Sequence, residues 1–220
     1  MRIGLFGGSF NPIHFGHLRA AEEVREALNL DLVYFIPAAM PPHKPEGKLA
    51  PADHRLQMVR VATKGNRHFM VADIEVRRAG RSFTIDTVQY FRSTMRGQPE
   101  MFLMMGADQF AEFDTWKDCE ELSRLCNIVV HTRLRAGEEP SGHDAEAAVS
   151  QASLAMANRF GYIKRDKQYV NTSDHTLDFI ATTYFPISAT LIRRKVTAHE
   201  SILYLLPYDV SDYIQRHGLY

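Results

Sequence analysis

Two imidazoles stand three positions apart, His14 and His17, shortly after a Gly7-Gly8 pair that follows the apolar run Ile3–Phe6. Glycines let a backbone pass close to a phosphate. A helix beginning beyond them offers free N–H groups at the positive end of its dipole. Imidazoles at such a turn, protonated or as hydrogen-bond donors, suit phosphoryl oxygens. One histidine alone would read as a turn cap, but a pair beside Gly-Gly is better explained by anion binding. The spacing matches neither G-x-G-x-x-G nor G-x-x-x-x-G-K-[ST], so neither a dinucleotide fingerprint nor a P-loop is present. No cysteine or carboxylate stands at ligand spacing from the pair, which argues against zinc.

A second set lies far along the chain. Ser188, Thr190 and Arg193 fall on the first turn of an expected helix that follows a strand. Hydroxyls, free N–H groups and a guanidinium at a helix start make an anion site suited to β- and γ-phosphates. Ser188 would equally serve as an ordinary N-cap. Gly106-Ala107-Asp108 closes the fourth apolar run. Glycine there would let an adenine or ribose lie against the backbone, and Asp108 would accept from a ribose hydroxyl, cap a helix, or do both. His43 and Lys44 sit in a loop with Pro41, Pro42 and Pro45, where a lysine is ordinarily just solvated. Trp116 is the only tryptophan, and a core position is its ordinary reading.

Short apolar runs alternate with amphipathic stretches, which is the pattern of βα units on a parallel sheet. The strands are expected at Ile3–Phe6, Leu32–Ile36, Phe69–Ala72, Met101–Met105, Ile128–Val130 and Phe179–Tyr184. Helices are expected over Leu18–Leu28, His54–Ala62 and Thr84–Met95, with a final short one from Pro207 to His217. Ala38–Pro51 must be a loop. Arg135–Asp174 reads as an insertion or cap with a possible helix from Asp144 to Asn158. The fold class is therefore α/β: one doubly wound, Rossmann-like domain over 1–220, with its crevice at the carboxyl ends of the strands.

Charge and composition narrow the partners. Lys+Arg and Asp+Glu both number 26, for a net charge of +0, which excludes a polybasic nucleic-acid or membrane binder. Two cysteines are too few for a disulfide scaffold. No apolar run approaches the roughly 18 residues of a membrane span, and the glycine-broken start is no signal peptide. A cytoplasmic location is expected; oligomeric state is not legible in the sequence.

Gly7-Gly8-Ser9-Phe10-Asn11-Pro12-Ile13-His14-Phe15-Gly16-His17 resembles the HxGH signature of the nucleotidyltransferase superfamily, most closely its bacterial nicotinate-nucleotide adenylyltransferase branch. Ile187-Ser188-Ala189-Thr190-Leu191-Ile192-Arg193 resembles the superfamily's ISSTxIR motif, with Ala189 replacing the second serine. Pro41-Pro42-His43-Lys44, Ser82 to Thr87, Gly106-Ala107-Asp108, Trp116-Lys117 and the tail from Tyr204 are similar to that branch as well. The match runs from Met1 to about Val130 and resumes near Leu177. Where the branch often carries Arg-Pro-Gly, Arg133 aligns with the arginine and Arg135 is its rival; the following stretch to about Asp174 has no counterpart we align.

The resemblance implies adenylyl transfer from ATP to nicotinate mononucleotide, with Mg²⁺ carried on the ATP phosphates and no nucleic-acid partner. His14, His17 and Arg193 become the expected catalytic residues. Gly7, Gly8, Ser9, Phe10, Gly106, Asp108, Ser188 and Thr190 become the expected ATP contacts. His43, Lys44, Thr84, Trp116 and Lys117 become the expected mononucleotide contacts, with Lys44 on its phosphate and Trp116 stacked on the pyridine ring. Thr84 is open between carboxylate recognition and an N-cap. The alternatives are nicotinamide mononucleotide or another acceptor such as phosphopantetheine, and a silent nucleotide-binding regulator. The intact histidine pair and Arg193 argue against the regulator.

Overall fold

The computed structural model describes residues 1–41, 49–78, 80–133, 151–166 and 168–220, with backbone alone at Arg133. β1 (Arg2–Gly8), β2 (Leu32–Pro37), β3 (Phe69–Val71), β4 (Glu100–Gly106), β5 (Asn127–Arg133) and β8 (Thr176–Thr182) pair in parallel. A hairpin of β6 (Ile163–Arg165) and β7 (Gln168–Val170) adds to the β8 edge in antiparallel sense. The order is β3-β2-β1-β4-β5-β8-β7-β6. Chain order reverses at β1, between β2 and β4, which is where an open α/β sheet leaves its ligand crevice.

Side-chain alternation along these strands feeds two cores, one on each face. Phe6, Phe35, Phe102 and Met104 pack on one face against α1 (Phe15–Ala27), α2 (Ala52–Thr63), α8 (Ala189–Thr197) and α9 (Tyr208–Arg216). Leu5, Ile36, Leu103 and Val130 pack on the other, against α4 (Thr84–Thr94), α5 (Ala107–Ala111), α6 (Cys119–Leu125) and α7 (Gln151–Arg159). Burial on both faces explains why these strands read as near-continuous apolar runs.

The structure departs from the sequence reading mainly in short elements, the hairpin β6–β7 among them. The five-residue helices α3 (Ile74–Arg78) and α5, and seven-residue α6, were not expected, because one or two turns are too short to show a 3.6-residue period. β8 begins at Thr176 rather than Phe179. Asp178 breaks its apolar run, and that carboxylate accepts from Thr176 Oγ1 at 2.7 Å and Gln168 Nε2 at 3.2 Å. Helix α7 ends at Arg159, one residue beyond the expected Asn158, while the start expected at Asp144 lies outside the described residues.

Candidate active site

Leaving β1, the chain passes Phe10 in left-handed backbone (φ 42°) and a cis Asn11–Pro12 peptide, then enters α1 with His14 as N-cap. The backbone N–H of His14 donates to Nδ1 of His17 at 3.2 Å. An imidazole whose Nδ1 accepts carries its proton on Nε2, so His17 presents Nε2 as a donor. The two rings stack with centroids 3.7 Å apart, and His14 is 2% exposed. Gly16 makes that stack possible: a Cβ there would lie 3.1 Å from the His14 ring. Phe10 closes the other side, its ring 5.3 Å from that of His17.

Helix α8 comes to the same turn. Ser188 caps it, accepting from the Leu191 N–H at 3.1 Å, so the ordinary capping role holds. Arg193 donates through Nη1 to the Asn11 carbonyl at 2.8 Å and through Nη2 to Thr190 Oγ1 at 3.1 Å. The two end motifs therefore meet through one guanidinium. Asn11 is itself buried, and its Oδ1 accepts from the Ala50 N–H at 3.0 Å and the Tyr220 hydroxyl at 2.8 Å. Burial raises the Tyr220 phenol above its ordinary value, which keeps it a donor.

Sequence reasoning missed Arg55, although it is only 1% exposed. It donates to four carbonyls: Ala50 at 2.8 Å, Ser9 at 2.8 Å, Ala38 at 2.6 Å and Ala39 at 2.8 Å. Those bonds pin the exits of β1 and β2 to helix α2. Burial lowers its pKa from the ordinary arginine value. The available signal was its place four residues before Val59, on the core-facing stripe of α2.

A cavity of about 310 Å³ opens beside this cluster, over the carboxyl ends of β1, β2 and β4. Gly7, Gly8 and Ser9 form one wall, Thr84, Thr87 and Val88 of α4 another, and Trp116 with Lys117 a third. Its floor is apolar, from Leu5, Ile36, Leu103 and Met104. Trp116 is half-buried, its ring 5.6 Å from Phe113. Lys117 Nζ lies 3.3 Å from Asp86 Oδ1 and 4.8 Å from the Phe83 ring centre. The N-cap reading of Thr84 is corrected. Phe83 occupies that position and no side chain caps α4, so Thr84 is the first helical residue.

Glu75 is a second residue the sequence did not disclose. It lines the same cavity, is 6% exposed, and accepts the Thr87 hydroxyl at 2.6 Å. Burial pushes its carboxyl above the ordinary carboxylate range, against the pull of the neighbouring Thr87 and Ser82 hydroxyls and of Arg78.

Gly106 ends β4 in register with His131 of β5. The Asp108 carboxylate folds back over it: a Cβ on residue 106 would stand 2.6 Å from Asp108 Oδ1. Gly106, not Asp108, is the N-cap of α5, so the capping alternative for Asp108 is not realised. Of the expected residues, Gly7, Gly8, Ser9, Thr84, Trp116 and Lys117 share the cavity. Phe10, His14, His17, Thr190 and Arg193 form the adjoining cluster. His43, Lys44 and Arg135 lie outside the described residues.

Among the described residues no group of three or more His, Cys, Asp or Glu is placed to hold a metal ion. The groups at the β1–α1 turn, His17 Nε2 and Arg193, are donors that suit anionic oxygens. That donor set fits a cation arriving on nucleotide phosphates. No helix among the described residues is long and apolar enough to cross a membrane.

A family model for cytidylyltransferase-like proteins matches residues 5–195. A protein of Geobacter metallireducens named "Probable nicotinate-nucleotide adenylyltransferase" is 42% identical over 223 residues, covering 100% of this chain and 98% of its own. One of the same name from Syntrophotalea carbinolica is 39% identical, covering 100% and 97%. Among solved structures, the nicotinic acid mononucleotide adenylyltransferase of Plasmodium falciparum complexed with NaAD superposes with a TM-score of 0.70 at 14% identity. It covers 99% of this chain and 96% of its own. The same enzyme complexed with APC gives 0.67 over the same shares.

Proposed function

The chain belongs to the cytidylyltransferase-like family, among its nicotinate-nucleotide adenylyltransferases. From that premise we propose that it transfers the adenylyl group of ATP to nicotinate mononucleotide, giving nicotinate adenine dinucleotide and pyrophosphate. The observation that carries the reading is the Arg193–Asn11 contact, which sets the start of α8 against the stacked histidines.

The reaction needs no protein nucleophile. The attacking group is the mononucleotide's own phosphate, whose second pKa of ~6 leaves it largely ionised at neutral pH. Its oxygen forms a bond to the α-phosphorus of ATP as the α–β bridging bond breaks, and the electron pair leaves on pyrophosphate. The chain must hold two anions in line and stabilise charge building on the leaving group. In this reading His17, through Nε2, and His14 hold the reacting phosphates. Arg193, Ser188 and Thr190 hold the departing pyrophosphate, and Lys44 with His43 receives the mononucleotide phosphate. Mg²⁺ on the ATP phosphates supplies further charge neutralisation.

Gly7, Gly8, Ser9 and Phe10 form the backbone floor against ATP, while Gly106 and Asp108 receive its ribose and adenine. The cavity beside Trp116 takes the pyridine ring. The uncapped first turn of α4 offers N–H donors beside Thr84, and donors facing a pyridine substituent favour a carboxylate over an amide. In this reading the enzyme works in the cytoplasm, as one domain spanning 1–220. A pyrophosphate-release assay with ATP and a panel of acceptors tests the reading. Nicotinate mononucleotide should be turned over fastest; equal or faster turnover of nicotinamide mononucleotide or phosphopantetheine would sink it.

A further inference from the structure

The cavity wall holds a carboxyl that adenylyl transfer does not itself call upon. Glu75 accepts from Thr87 Oγ1 at 2.6 Å, one helical turn beyond Thr84. Nearby, Ser82 Oγ accepts the Ala39 N–H at 2.9 Å, and the Ser82 N–H donates to the Met40 carbonyl at 3.0 Å. Two ties thus meet in the cavity wall: Ser82 joins the exit of β2 to the approach to α4, and Glu75 joins α3 to the first turn of α4. Thr87 has a single hydroxyl proton to donate, and it is given to Glu75. A carboxyl kept in a largely apolar cavity is costly to hold without hydrogen bonds, and this donor comes from the wall itself.

We propose that Glu75 is a positioning residue for the acceptor. Through Thr87 it sets where the uncapped first turn of α4 stands against the β2 exit that Ser82 anchors, and so how the pyridine end of the mononucleotide is held. The proposal rests on the reading of the acceptor as nicotinate mononucleotide.

The test compares Glu75→Ala, Glu75→Gln and Thr87→Val by steady-state kinetics for both substrates. Quenching of Trp116, the only tryptophan and a lining residue, follows nicotinate mononucleotide binding without ATP. Glu75→Ala should raise KM and the fluorescence Kd for the mononucleotide roughly tenfold while leaving KM for ATP within about twofold. Glu75→Gln should stay within about threefold of wild type, because an amide oxygen still accepts from Thr87 Oγ1. Thr87→Val should fall between them. Three results would overturn the proposal: an unchanged acceptor KM in Glu75→Ala, equal rises for both substrates, or a glutamine variant as impaired as the alanine one. If Glu75→Ala does not fold, Thr87→Val decides, and an unchanged acceptor KM there counts against it. Wild-type failure on nicotinate mononucleotide would instead remove the functional reading, so the two failures are told apart.

Discussion

His17 shows how one side chain can serve the fold and the chemistry with different atoms. Its Nδ1 accepts from the His14 N–H, which fixes the ring and makes Nε2 a donor. His17→Ala should lower kcat at least ~10²-fold while weakening ATP binding far less, since phosphate stabilisation grows toward the transition state. The same substitution removes an end contact of α1, worth roughly 1 kcal/mol, so a small drop in Tm should accompany it. Near-normal kcat would take His17 out of the mechanism. Arg193 makes a similar case, because its two nitrogens reach the Asn11 carbonyl and Thr190 Oγ1 together. A single ammonium cannot hold two directions with fixed geometry, so Arg193→Lys should be nearly as damaging as Arg193→Ala in a pyrophosphate-release assay. If the lysine variant keeps most activity, only long-range charge matters at that position.

Glu75 carries a prediction about stability. Its carboxyl is raised above the ordinary 4.5 by burial, so between that value and its folded-state pKa the folded chain binds more protons than the unfolded one. Stability from this group is therefore greatest below about pH 4.5, falls as pH rises through the window, and levels off above it. Relative to Glu75→Gln, which cannot titrate, the wild type should lose Tm as pH climbs from about 4.5. A difference that is flat with pH would contradict the raised pKa. Residues of this kind escape sequence reading for a common reason. The types and spacing of His14, His17 and Arg193 announce anion chemistry, whereas Glu75 and Arg55 look like ordinary charges on short or amphipathic helices until burial is known.

Among the elements, those whose apolar pattern spans several turns or a doubly buried strand were legible, such as α1, α4, β1 and β4. Those defined by one turn and a tertiary contact were not, and α3, which carries Glu75, is the instructive case. Helix α4 also sharpens the test of specificity. Since Thr84 caps nothing, Thr84→Val removes a hydroxyl without removing a helix cap. It should erode the preference for nicotinate over nicotinamide mononucleotide and leave KM for ATP unchanged. Trp116→Ala should instead raise KM for both mononucleotides by a similar factor, about tenfold for a lost stack of ~1–3 kcal/mol. A ring stack is indifferent to the pyridine substituent; a hydroxyl is not. If the two variants behave alike, the division of labour between ring and substituent is wrong.

At the scale of the molecule, the parallel sheet and the reversal at β1 follow from the alternation of apolar runs. The hairpin β6–β7 does not, because all of its residues but Tyr169 and Val170 are exposed or undescribed and they carry no apolar period. The meeting of the two end motifs was legible only as two anion sites needing a common ligand. What joins them is Asn11, whose partners lie 39, 182 and 209 positions away at Ala50, Arg193 and Tyr220. Contacts of such separation are the last an emerging chain can make. A ribosome-bound chain still lacking α8 and Tyr220 would hold its paired imidazoles and its glycine turn by the Ala50 and Arg55 bonds, without the Arg193 guanidinium. Competence for catalysis thus waits for α8 and Tyr220, made long after the histidines and glycines they complete.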